Sequence, residues 1–184
     1  LTRVTDYQDR STCVLFGDGA GAAILDGGEG GHRLGNFFLA ADGSGIPILC
    51  IPKGGSTNPP TVESVAAREH FIMMKGREVF KFAVQKIILL IKNAAERCGI
   101  QPGEFDLVVP HQVNQRIIKA AIDRLEMHQD QFFCHMEKYG NTSGASVAIA
   151  LDEAVREGHV KEGMRVLLMA FGGGFTWGSA VLEW

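Results

Sequence analysis

Apolar residues recur at three- and four-residue spacing through residues 71–98. Val79, Ala83, Ile87, Leu90 and Ala94 form a stripe, with Phe80, Ile91 and Cys98 beside it. Arg77, Lys81, Gln85, Lys92 and Glu96 keep the other side polar. The pattern predicts one long amphipathic helix, stopped by Gly99 and Pro102. A second helical pattern covers 115–125. A third runs over 143–157, with Ser143 as its cap and Gly158 as its stop. Its small residues, Gly144, Ala145, Ala148 and Ala150, predict close packing and burial. Short β-compatible runs occupy 13–16, 20–25, 34–41, 106–109, 132–135, 165–171 and 176–183. Gly17-Asp18-Gly19 separates the first two, and Gly172-Gly173-Gly174 joins the last two. Residues 27–31 read as a turn and 42–60 as a long loop, of a length that is commonly functional or mobile. Strands alternating with helices predict an α/β fold, a mixed five-stranded sheet covered by helices.

Composition narrows this picture. A chain of 184 residues with 46% hydrophobic and 21% charged residues is a folded domain, or one substantial half of a larger one. Disorder and a disulfide-dense scaffold are excluded as its main character. No apolar run reaches the roughly 18–20 residues of a membrane span, and a net charge of −3 does not suggest nucleic acid. Cys13, Cys50, Cys98 and Cys134 show no CxxC spacing and sit beside apolar neighbours. They read as reduced thiols of a cytoplasmic protein. No metal site is expected. The opening Leu1-Thr2-Arg3-Val4-Thr5 lacks the order of a signal peptide, and the chain reads as a fragment or a processed piece.

Two segments carry candidate chemistry. Val109-Pro110-His111-Gln112-Val113-Asn114-Gln115-Arg116 lies between the end of a strand and the start of a helix, where open α/β sheets bind ligands. Tyr139-Gly140-Asn141-Thr142-Ser143-Gly144-Ala145-Ser146 leads into the small-faced helix. Taken singly, His111 suits a structural histidine and Asn141 a simple cap. Charge is also uneven: residues 68–98 carry +4, residues 111–124 carry +2, and the remainder carries −9. That basic band is either an ordinary solvated face or a steering surface for an acidic partner.

PHQVNQR, GNTSGAS and GGGFTWGS, together with FGDGAGAAIL near the start and MKGREVFKFAV before the long helix, closely resemble the C-terminal half of the β-ketoacyl-acyl carrier protein synthase III family. The resemblance covers essentially all of the chain. It implies a thiolase fold and an acyltransferase that condenses an acyl-CoA starter with malonyl-acyl carrier protein, initiating type II fatty acid synthesis in a cytoplasmic homodimer. It assigns His111 and Asn141 to stabilising the enolate formed on decarboxylation, and the Gly173 N–H to an oxyanion hole. Arg10 corresponds to a contact of the CoA nucleotide. Gly76, Phe80, Ala83 and Asn114 line the pantetheine tunnel, and Gln112, Lys81 and Arg116 meet the carrier protein. No cofactor is implied beyond the CoA and phosphopantetheine thioester substrates. Val113 and Gln115 depart from residues common in relatives. The family's nucleophilic cysteine belongs to an N-terminal half absent here, and none of the four cysteines takes its place. Related readings are a condensing enzyme of polyketide or signal-molecule synthesis, and a non-catalytic interaction module.

Overall fold

Successive side chains of a strand take opposite faces of the sheet, and that alternation places the helices. In β4 (Leu107–Pro110) every residue is buried. Val108 faces one hydrophobic cluster, while Leu107 and Val109 face another, as the two-residue period of a strand requires. The first cluster joins the sheet to the long helix α2 (Gly76–Cys98) and to α3 (Gln115–Leu125). The second joins it to α5 (Ala145–Arg156) through Ala150 and Ala154. A strand covered on both faces reads as a continuous apolar run, and Leu-Val-Val-Pro is one.

The computed structural model describes residues 1–28 and 30–184. Its main sheet has the order β1 (Arg33–Ala41), β6 (Thr176–Glu183), β5 (Arg165–Gly172), β4. The β1–β6 and β6–β5 pairs are antiparallel and β5–β4 is parallel, so the sheet is mixed. It has four strands where five were expected. Of the run 13–16, Phe16 alone makes an isolated parallel bridge, to Asn141. The run 20–25 forms no strand, and Ile24 is 95% exposed. Both runs have strand composition, but a strand exists only where a neighbour supplies a ladder. Residues 132–135 likewise reduce to one bridge, Phe132 to Val108 beside β4. The turn expected at 27–31 includes Glu29, which lies outside the described residues.

Local chemistry sets the helix ends. Helix α2 starts at Gly76, five residues later than its apolar pattern suggests. Met73-Met74 (β3) pair instead with Leu49-Cys50 (β2), and the Lys75 N–H donates to the Ile48 carbonyl (2.9 Å). The helix ends where Gly99 adopts a left-handed φ of 67° and its N–H caps the last turn. The loop 42–60 holds a 3-10 turn, Gly43–Ile48, before the one-turn helix α1 (Val62–Ala66). Ser143 does not cap α5. Its φ is +56°, Gly144 occupies the cap position, and the Ser143 N–H donates to Asn141 Oδ1 (2.9 Å). The buried stripe of α5 is Ser146, Ala150 and Ala154, while Gly144 is exposed. A short helix, α4 (Met136–Tyr139), precedes the asparagine loop.

Candidate active site

Pro110 closes β4, and the His111 N–H extends the ladder by one bond to the Met169 carbonyl (2.7 Å). His111 therefore stands at the carboxyl end of a parallel strand pair. Its ring is 8% exposed and lies edge-on to Phe171, with centroids 5.5 Å apart. Nδ1 lies 2.6 Å from the hydroxyl of Ser146. Burial pushes the imidazole pKa down to about 4, so the ring is neutral at neutral pH.

Asn141 comes from the loop between α4 and α5 and is held on both sides. Its N–H donates to Leu15 O (2.8 Å), and its carbonyl accepts from the Gly17 N–H (2.9 Å). The segment around Phe16 thus serves as a brace for the asparagine loop. Asn141 Oδ1 is occupied by the Ser143 N–H, which leaves the amide nitrogen as the donor facing outward. Gly173 sits in the β5–β6 hairpin. A β-carbon there would lie 3.1 Å from the Leu49 carbonyl, so the backbone runs close to the opposite wall.

His111, Asn141 and Gly173 line one open cavity of about 1230 Å³. Val79 and Phe82 of α2, Phe175 and Trp177 of the hairpin, and Cys50 of β2 also face it. Phe82 stacks on Phe175 (3.8 Å) and meets Trp177 edge-on, and Lys86 Nζ lies 3.7 Å over the Trp177 ring. The result is a mostly apolar basin whose lining includes two neutral polar side chains, the His111 imidazole and the Asn141 carboxamide. Such donors stabilise an oxyanion without having to lose a proton.

The other residues singled out in the sequence fall in different places. Gly76, Phe80 and Lys81 are exposed on the first turns of α2, and Arg116 is exposed on the first turn of α3. Asn114 is half-buried and caps α3, with Oδ1 accepting from the Arg116 N–H (2.9 Å). Arg10 is exposed and lies off the cavity wall. Two others are buried. Ala83 is fully buried in the core cluster and lines no open surface. Gln112 is also fully buried. Its Nε2 donates to Pro110 O (2.9 Å) and Phe133 O (3.1 Å), and its Oε1 accepts from the His135 N–H (2.9 Å). That carboxamide ties the histidine loop to the segment leading into α4. There His135 contacts Glu153, which also accepts from the Tyr139 hydroxyl (2.6 Å). Sequence reasoning missed Ser146, although a serine on the small, buried face of a helix signals a partner. Phe171, Phe82 and Phe175 carry no chemical signal of their own.

The cysteines are all unpaired. Cys50 reaches the cavity wall but makes no hydrogen bond to His111 or Asn141 among the described residues. Burial and the nearby Glu137 push the Cys134 thiol up to about 11.

The chain is similar in sequence and structure to known proteins. The family model for the C-terminal part of 3-oxoacyl-[acyl-carrier-protein] synthase III matches residues 95–184, and the model for 3-oxoacyl-[acyl-carrier-protein] synthase III matches residues 1–43. The β-ketoacyl-[acyl-carrier-protein] synthase III of Caldanaerobacter subterraneus is 48% identical over 184 residues, covering 100% of this chain and 56% of that protein. The Fusobacterium nucleatum enzyme of the same name is 44% identical with the same coverage. The crystal structure of 3-oxoacyl-[acyl-carrier-protein] synthase III from Aquifex aeolicus superposes with a TM-score of 0.87 at 40% identity, over 100% of this chain and 55% of that one. A priming β-ketosynthase of a polyketide pathway superposes with a TM-score of 0.77 at 31% identity, over 98% and 54%. The chain spans about half the length of the curated relatives it matches. Its mixed sheet and covering helices have the thiolase-like α/β fold, and in sequence and structure the chain belongs to the 3-oxoacyl-[acyl-carrier-protein] synthase III family.

Proposed function

We propose that this chain is the C-terminal, decarboxylating half of a β-ketoacyl-acyl carrier protein synthase III, which joins an acyl-CoA starter to malonyl-acyl carrier protein in the first elongation of fatty acid synthesis. The observation that supports this reading is that His111, Asn141 and Gly173 line the same cavity, with His111 neutral and the Asn141 Oδ1 already occupied. When the malonyl C–C bond breaks, CO2 leaves and its electron pair becomes an enolate on the thioester. The His111 and Asn141 N–H groups stabilise that oxygen; the carbanion then attacks the carbon of an acyl thioester whose carbonyl oxygen lies against the Gly173 N–H, and the C–S bond breaks to release the thiolate. The acyl group is carried by a cysteine from protein outside this chain, because none of Cys13, Cys50, Cys98 and Cys134 is hydrogen-bonded to the histidine. CoA and phosphopantetheine thioesters are substrates, and no further cofactor takes part. By the family resemblance, Gly76, Phe80 and Asn114 serve the pantetheine arm, Arg10 the CoA nucleotide, and Lys81 and Arg116 the carrier protein. Four unpaired cysteines suit a reducing cytoplasm, and the family resemblance supports a homodimer. A non-catalytic module would have no need to keep all three groups in one cavity.

The test is Asn141→Ala in the full-length protein. Malonyl decarboxylation and condensation should fall by about 10²–10³, with acyl transfer from acyl-CoA to the cysteine reduced far less. A variant that condenses normally but cannot be acylated would reverse the assignment.

A further inference from the structure

The Ser146 hydroxyl sits on the buried stripe of α5 with no exposed surface, 2.6 Å from His111 Nδ1. Its oxygen also accepts the backbone N–H of Gln112 (3.2 Å). A hydroxyl has one proton to give. With the Gln112 N–H already directed at the oxygen, the acceptor within reach of that proton among the described residues is His111 Nδ1. A histidine that accepts at Nδ1 carries its proton on Nε2. From this geometry we infer that Ser146 is a positioning residue, which holds His111 as the Nε2–H tautomer and aims that N–H into the cavity.

Three features make the arrangement rigid. Ser146 lies in the first turn of α5, whose residues Ala150 and Ala154 pack against β4 and β5. Gln112, adjacent to the histidine, is pinned by three backbone groups. Phe171 closes the ring's flank. The imidazole therefore cannot turn to exchange its nitrogens without breaking the Ser146 bond. The opposite tautomer would present a lone pair to a developing oxyanion and repel it. The inference deepens the proposed decarboxylation and rests on it for its consequence, but the tautomer itself can be read without turnover.

The experiment uses the full-length protein with 15N-labelled histidine. Long-range 1H–15N spectra separate a protonated, pyrrole-like Nε2 from a pyridine-like Nδ1. The wild type should show His111 with Nε2 protonated, and Ser146→Ala should lose that preference. In the same variant, kcat for malonyl decarboxylation should fall about tenfold or more, since a wrong tautomer disables an otherwise intact site, while KM changes little. The isosteric pair Ser146→Thr and Ser146→Val differ by the hydroxyl, and Thr alone should keep the Nε2–H signature, which guards against a packing effect in the alanine variant. A wild type protonated on Nδ1, or a signature unchanged in both Ser146→Ala and Ser146→Val, overturns the inference. The expected spectra in a protein that does not decarboxylate malonyl thioesters would uphold the tautomer and overturn the proposed function instead.

Discussion

At the scale of single residues, the site works by removing polar freedom. Asn141 has its carbonyl oxygen occupied and His111 is stripped of water, so each retains one donor. The histidine also couples the site to acid. In an unfolded chain an imidazole titrates near pH 6.5, and in the folded chain burial lowers that to about 4. Between those values the unfolded state binds the extra proton. The stabilisation is therefore complete above pH 6.5 and is lost as the pH falls toward 4, by up to about 3 kcal/mol. Urea midpoints measured from pH 7 to pH 4.5 should fall more steeply for the full-length wild type than for His111→Gln; equal slopes would mean a hydrated imidazole. His111 and Asn141 are legible in the sequence because they stand in ordered motifs between a strand and a helix. Ser146 and Gln112 are not. Gln112 shares a motif with His111 and points into the interior, which depends on the carbonyls of Pro110 and Phe133 converging from separate elements.

Among elements, periodicity located the helices and strands that bury a face, and it failed where pairing decides. The long helix, β1 and the β5–β6 hairpin follow their patterns closely. The residues of α2 that line the cavity are Val79 and Phe82. The runs 13–16 and 20–25 mark the failure, since strand composition names no partner. The first run nonetheless matters through its backbone, because Leu15 and Gly17 clamp Asn141. A β-carbon on Gly17 would stand 2.1 Å from the Tyr139 carbonyl. Gly17→Ala should force the asparagine loop away at a cost of about 1–3 kcal/mol. Decarboxylation should drop with little change in far-UV circular dichroism. Unchanged turnover in this variant would mean that the brace is dispensable.

For the whole molecule, charge and connectivity govern what individual motifs cannot. The basic excess of residues 68–98 and 111–124 lies within an otherwise acidic chain, and Lys81 and Arg116 are both exposed. Reversing either to Glu in the full-length protein should raise KM for the malonyl-carrier step and spare acyl-CoA priming. The defect should shrink as salt shortens the screening length from about 8 Å toward 3 Å. Equal effects on both steps, insensitive to salt, would assign these side chains to structure alone. Connectivity has a different outcome. Arg33 faces Glu183 and Ala41 faces Thr176, so β1 waits more than a hundred residues for its ladder partner. At a synthesis rate of roughly 5–20 residues per second, that wait lasts on the order of ten seconds. Meanwhile β1, with Phe37 and Leu39 uncovered, is an open edge of the kind that chaperones hold and aggregates recruit. The wall carrying Gly173 closes only when β6 clears the ribosome, so a nascent chain can display the histidine and the asparagine long before it owns a basin in which to use them.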